Sequence, residues 1–131
     1  MPRLKQYGDL MGRYVVWIQG LYYLLNGLWP LLSISAFQAV TGSKTDLWLV
    51  NTIGLLLMVT GLVLTMAAYR GRVDLQIAVL GIGTALSLAA VELVYVFKGT
   101  ISTIYLLDMV IEILFVVGWA VGQAPRRNIG T

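Results

Sequence analysis

Two carboxylates stand inside an apolar segment towards the end of the chain. Asp108 and Glu112 belong to the run YLLDMVIEILF at residues 105–115. Because four residues separate them, a helix would place them on one face, one turn apart. Burial and mutual repulsion both disfavour two charges at this spacing, so we expect the pair to share at least one proton near neutral pH. Such a pair can hold a cation, exchange a proton or bond to neighbouring helices.

A third acid, Glu92, lies in the preceding apolar run. If the two runs are antiparallel helices, Glu92 and Asp108 lie within a few ångströms of the same depth, at a rise of about 1.5 Å per residue. We expect a small polar cleft that opens outward between the helices. The candidate binding residues are Glu92, Asp108, Glu112, Asn26, Gln19, Tyr105 and Tyr95.

The residue types that are missing narrow the chemistry. The chain has no cysteine and no histidine, which excludes thiolate chemistry, disulfides, His-ligated haem and the usual zinc sites. The sequence also has no nucleic-acid motif, glycine-rich phosphate loop or nucleophile elbow. We therefore assign no catalytic residue and expect no cofactor, no metal and no nucleic-acid partner. A divalent ion held by the three acids would need further ligands.

Composition indicates the elements that must position these acids. Of the 131 residues, 59% are hydrophobic and 11% are charged, and the mean hydropathy is +0.84. Soluble domains carry about 25% charged residues, so the lipid bilayer is the natural solvent for this chain. We predict an all-α fold, an integral membrane antiparallel four-helix bundle that forms a single domain over residues 1–131.

Four apolar runs supply the predicted spans. Membrane-spanning helices need about 20 apolar residues. The first run is too long for one straight span, and Pro30 should kink or end its helix. We predict spans at about 14–31, 47–69, 75–97 and 101–122, an interfacial segment at 32–46, and tails at 1–13 and 123–131. Short links between long helices predict antiparallel neighbours.

The basic residues predict the orientation of the chain. Seven lie on the side of the termini, and only Lys44 and Lys98 lie on the other side. The positive-inside rule then predicts that both termini are cytoplasmic. The seven are Arg3, Lys5, Arg13, Arg70, Arg72, Arg126 and Arg127.

The first half of the chain resembles a known kind of membrane protein. A glycine-rich first helix ends at a proline and is followed by a turn of the pattern F-x-x-V-T-G-x-K-T-D-x-W-L-V. The residues that carry it are Pro30, Phe37, Val40, Thr41, Gly42, Lys44, Thr45, Asp46, Trp48, Leu49 and Val50. This stretch is similar to the opening of an uncharacterised family of small bacterial four-helix membrane proteins. The overall plan of the chain is also similar, more distantly, to DoxX-like four-helix proteins. The resemblance implies a four-helix plan and a bacterial inner membrane, and it implies no activity.

Three functions fit these features. The first is a non-enzymatic accessory or structural subunit, in which the buried carboxylates bond the helices together within a larger membrane complex. The second is proton- or cation-coupled binding or transport of a small molecule by a homodimer that uses Asp108 and Glu112. The third is a membrane enzyme on a lipid-like substrate with a carboxyl general acid. Neutralising the acids would change only assembly in the first case and a solute response in the second.

Overall fold

The residues that the structure describes form five helices joined by short turns. This computed structural model describes residues 2–42 and 44–129, with side chains over 12–42 and 44–122. Its elements are α1 (Pro2–Leu32), α2 (Ile34–Thr41), α3 (Leu47–Arg70), α4 (Leu75–Phe97) and α5 (Tyr105–Ile129). Four segments are long and apolar enough to cross a membrane: Gly12–Leu32, Leu47–Arg70, Leu75–Phe97 and Tyr105–Gly122. The predicted all-α membrane bundle is confirmed.

The ends of the first helix differ from the sequence prediction. The tail predicted at 1–13 is helical from Pro2, so that α1 continues beyond the membrane span. At its other end, α1 passes Pro30 and stops two residues later, at Leu32. Pro30 is tolerated because its missing N–H costs a single bond so close to the helix end. Ser33 follows and starts α2, since its hydroxyl accepts a hydrogen bond of 3.2 Å from Ala36 N.

The last span begins later than predicted, at Tyr105 rather than at 101. The turn after α4 explains the difference. Gly99 adopts a left-handed conformation with φ +72°, and Thr100 N donates to Tyr95 O at 2.9 Å. This C-terminal capping arrangement ends α4 and turns the chain before a new helix can start. At the far end, α5 continues through most of the predicted tail, to Ile129.

Helices α1 and α3 pack at backbone distance through glycines. A Cβ added to Gly61 would lie 2.6 Å from Gly20 O, and one added to Gly54 would lie 2.7 Å from Gly27 O. The glycines are spaced by seven residues on each helix, so the two contacts repeat along the antiparallel pair. Small residues are the usual means by which membrane helices approach this closely.

The helices are arranged in the order α3–α1–α5–α4 around the bundle. Helix α1 packs against both α3 and α5, α5 also packs against α4, and α3 and α4 meet only slightly. The short link over 71–74 had predicted α3 and α4 as packed neighbours. The link holds only their ends together, and the glycine contacts hold α3 on α1 instead. We call the half of the bundle near the termini proximal and the other half distal.

The main hydrophobic cluster fills the proximal half. Its largest member is Trp119, which is fully buried and fits against Gly81, where an added Cβ would lie 2.6–2.8 Å from indole atoms. The other buried members are Val16, Tyr23, Leu64, Ala68, Ala85 and Phe115. Large apolar side chains such as Leu56, Val79 and Leu114 remain exposed on the outside of the helices. A bundle with this exterior is a small membrane protein whose outer faces suit lipid.

Candidate functional site

The distal half encloses a cavity of about 460 Å³. All five helices contribute to its wall, because α3 and α4 are apart there and α2 lies across the distal end. Apolar and aromatic side chains form most of the lining. Five of the candidate residues line it: Asn26, Glu92, Tyr105, Asp108 and Glu112. The structure therefore brings the three acids to one space.

Two tyrosines of α1 bond to the two acids of α5. The hydroxyl of Tyr22 donates to Asp108 Oδ1, and the hydroxyl of Tyr23 donates to Glu112 Oε2 at 2.6 Å. The sequence places Tyr22 on one polar stripe of α1 with Gln19 and Asn26, at helical spacing and facing the expected cleft, whereas Tyr23 was not predicted to belong to the site. Tyr23 lies four residues after Gln19, on the polar stripe of α1, and that spacing was the available signal.

A chain of hydrogen bonds beneath the cavity fixes the direction of the Tyr23 bond. Trp119 Nε1 donates to Gln19 Oε1 at 2.7 Å, and an indole N–H can only donate. The amide nitrogen of Gln19 must therefore donate, and it does so to Gly81 O at 2.8 Å and to Tyr23 Oη at 3.1 Å. Since the Tyr23 hydroxyl accepts from Gln19, its own proton points to Glu112. Gln19 thus positions Glu112 from below the cavity and does not line it.

Two carboxyl oxygens in the cavity wall have no hydrogen-bond partner. They are Glu92 Oε1 and Glu112 Oε1, on side chains that are 5% and 0% exposed. Buried polar atoms are almost always bonded, so these two oxygens keep an unused capacity to accept a hydrogen bond.

Lys44 lies at the distal mouth of the cavity. Its Nζ is 3.0 Å from both Thr41 O and Gly42 O, and 3.4 Å from Thr41 Oγ1. It also lies 5.2 Å from the ring centroid of Tyr105 and 5.8 Å from that of Phe37. An ammonium group has three N–H donors, and these contacts occupy them. Lys44 is therefore held at the mouth by the end of α2 and stays away from the acids.

The remaining candidate residues have different surroundings. Asn26 lines the cavity, and its amide donates back to Tyr22 O within α1 at 2.9 Å. Tyr95 is 42% exposed and does not line the cavity, and Lys98 Nζ lies 5.5 Å from its ring centroid. Tyr95 is therefore not part of the site, although it lies three residues from Glu92 on α4. Across residues 12–42 and 44–122 no group of three or more Asp, Glu, His or Cys is arranged to hold a metal ion.

Comparison of the chain with protein-family models, curated proteins and solved structures finds no match. The geometry of the cavity is therefore the basis for a function.

Proposed function

We propose that this small multi-pass membrane protein binds a cationic, partly apolar small molecule in the distal cavity. The observation that carries the proposal is the pair of unpartnered oxygens, Glu92 Oε1 and Glu112 Oε1. Both belong to buried acids and both residues line the cavity. A ligand with a protonated amine would donate to these oxygens and offset the negative charge around them. Buried charges without such compensation are costly.

The surrounding groups favour a cation over an anion. The two tyrosine hydroxyls that face the acids, on Tyr22 and Tyr23, already donate to Asp108 and Glu112. Lys44, the basic residue of the lining, has its donors on Thr41 and Gly42. An anionic ligand would therefore meet carboxyl groups, and neither these two hydroxyls nor the Lys44 ammonium would have a free donor for it. The apolar wall suits the remainder of an amphipathic molecule.

A role as an accessory subunit is the second candidate. The bonds from Tyr22 and Tyr23 to the acids join α1 to α5, as a purely structural pair of acids would. Polar contacts between membrane helices contribute only about 0.6 kcal/mol on average, so they specify packing more than they stabilise it. This role does not account for the two free oxygens or for the cavity that their residues line. The membrane enzyme with Asp108 or Glu112 as general acid stays a prediction.

We place the protein in a bacterial inner membrane with both termini in the cytoplasm, so that the cavity faces the periplasmic side. Seven basic residues on the proximal side against two on the distal side support this orientation. The resemblance of the first half to small bacterial four-helix membrane proteins supports the bacterial setting. Transport would require a path through the proximal half, which the hydrophobic cluster around Trp119 fills. Binding, with or without a second copy, is the simpler use of the cavity.

Binding can be tested with three probes that share one apolar chain: hexylamine, hexanol and hexanoate. The purified protein in nanodiscs is titrated with each, and thermal unfolding reports binding, because a ligand that binds only the folded state raises the transition temperature. We expect stabilisation by hexylamine and much less by the other two. Equal stabilisation by all three, or none by hexylamine, would contradict the proposal.

Two pairs of variants locate the effect. Val91→Trp places bulk in the cavity wall, and Val94→Trp places the same bulk on α4 outside the lining. The double variant Glu92→Gln/Glu112→Gln removes the two acidic side chains from the cavity wall. Asp74→Asn is its control, because it removes the acid that caps α4 and asparagine also caps a helix. We expect Val91→Trp and the double variant to lose the stabilisation by hexylamine, and we expect the two controls to keep it. An unchanged response in both would favour the accessory role.

A further inference from the structure

The cavity has a second opening besides the mouth at Lys44. Helices α3 and α4 both line the cavity, yet they meet only slightly along their lengths. Ile53 of α3 is 46% exposed and Val91 of α4 is 52% exposed, although both belong to the cavity wall. Because the two helices meet only slightly and a wall residue on each is about half exposed, we take the space between them as a gap in the side of the cavity. We call the space between Ile53 and Val91 the lateral gap.

The lateral gap is bordered by apolar side chains. On α3 these are Val50, Ile53 and Leu57, and on α4 they are Leu88 and Val91. Ile53 lies six residues from the distal start of α3, and Val91 lies six residues from the distal end of α4. At about 1.5 Å per residue, both lie roughly 9 Å below the ends of their helices, at the depth of lipid chains. The gap therefore opens into the hydrocarbon region of the bilayer.

The two openings differ in charge. The mouth at the distal end carries the ammonium group of Lys44, which would repel a cation arriving from water. The lateral gap carries no charged side chain among its bordering residues. Glu92 lies next to Val91 in sequence and is buried behind it, with its free Oε1 in the cavity wall. A cationic group that enters through the gap reaches the acids without passing Lys44.

We infer that the ligand is a single-chain amphiphile with an ammonium head, taken from the bilayer through the lateral gap. The inference rests on the proposed function and names its ligand class. The head bonds to the free oxygens of Glu92 and Glu112, and the hydrocarbon tail passes between Ile53 and Val91 into the lipid. A tail longer than the cavity then needs the gap to stay open, and a short amine that fits within the cavity does not.

Closing the gap tests this directly. The chain has no cysteine, so Ile53→Cys/Val91→Cys introduces the sole reactive pair. A cross-linker that contains a disulfide joins the two positions, and a reductant releases them in the same sample. Dodecylamine and butylamine are titrated before and after release, so partition into the nanodisc is common to both states. We expect the cross-link to weaken dodecylamine binding by about tenfold or more and butylamine binding by less than about twofold.

The other possible results distinguish a failure of this inference from a failure of the proposed function. Equal weakening of both amines would mean that closure distorts the cavity, and unchanged binding of dodecylamine would mean that its tail does not use the gap. Either result overturns the inference and leaves cation binding in place. If neither amine binds the reduced protein, the proposed function fails with it. The single variants Ile53→Cys and Val91→Cys, treated with the same cross-linker, are the controls, because neither can close the gap.

Discussion

At the residue scale, the arrangement of the site depends on the indole N–H of Trp119, which can donate a hydrogen bond but cannot accept one. The indole N–H of Trp119 sets the orientation of the Gln19 amide, which sets the direction of the Tyr23 hydroxyl and so makes Glu112 Oε2 an acceptor. Glu112 Oε1 is then the oxygen left for a ligand. Three of these four residues are fully buried and Tyr23 is 1% exposed, so water does not compete for the bonds.

Replacing the central amide should destabilise the fold. Gln19→Leu keeps a side chain of similar volume and removes three hydrogen bonds, to Trp119, Gly81 and Tyr23. At about 0.6 kcal/mol for each bond between membrane helices, we expect the free energy of unfolding to fall by roughly 2 kcal/mol. Denaturant titration in mixed micelles would measure it. Gln76→Leu, at an exposed position near the start of α4, is the control and should change stability little.

Sequence reasoning found the acids and missed part of what holds them. Asp108, Glu112 and Glu92 were visible because ionisable residues are rare in apolar spans. Tyr22 was visible only as a member of the polar stripe of α1, and Tyr23 was missed, because only the rotation of α1 against α5 shows which tyrosines bond to the acids. Tyr95 was placed in the site by its spacing from Glu92, and the exposed face of α4 carries it instead.

At the element scale, α1 and α3 form a pair whose separation is set by backbone contacts. Gly20, Gly27, Gly54 and Gly61 leave no room for side chains between the two helices. Helix α4 has no such contact with α3 and rests on α5. The number of membrane spans and their approximate positions follow from hydropathy. Their order around the bundle does not, because it depends on which glycines meet.

A methyl group in this contact should separate the pair. In Gly61→Ala the new Cβ would lie 2.6 Å from Gly20 O and 2.7 Å from Leu24 N, both backbone atoms that cannot turn aside. We expect a loss of about 1–3 kcal/mol in the free energy of unfolding, as is typical of overpacking. Gly83→Ala is the matched control, since nothing lies within 4 Å of its added Cβ. Equal stability of the two variants would show that the helices are not held at backbone distance.

At the scale of the whole molecule, one chain is enough to form the cavity. Every helix of the chain contributes to its wall, and both buried acids with free oxygens come from the same chain. A homodimer was predicted for transport because four helices leave little room for a permeation path. For binding alone, the described part of a single chain supplies a complete set of groups.

The number of ligands bound per chain tests whether a single chain forms the site. We expect one amine bound per chain, with the same affinity when the nanodiscs are loaded with a single copy of the protein. Native mass spectrometry of the loaded discs would count both protein and ligand. A ratio of one amine to two chains, or binding lost in single-copy discs, would assign the site to a dimer.

The absence of cysteine also makes orientation easy to measure. Ser102→Cys places a thiol in the exposed distal turn, and Arg72→Cys places one in the exposed proximal link. In intact bacterial cells we expect a membrane-impermeant maleimide to label the first variant alone, because the positive-inside rule puts the proximal side in the cytoplasm. Lysis should expose the second. The reverse pattern would invert the molecule and turn the cavity towards the cytoplasm.

The lateral gap has a consequence for how any affinity should be measured. A space that opens between Ile53 and Val91 into the hydrocarbon region is filled by acyl chains when no ligand is there. Binding is then an exchange of one occupant for another, and the lipid is a competitor at very high concentration. The apparent dissociation constant should therefore vary with the acyl-chain composition of the bilayer, even though no residue of the protein has changed.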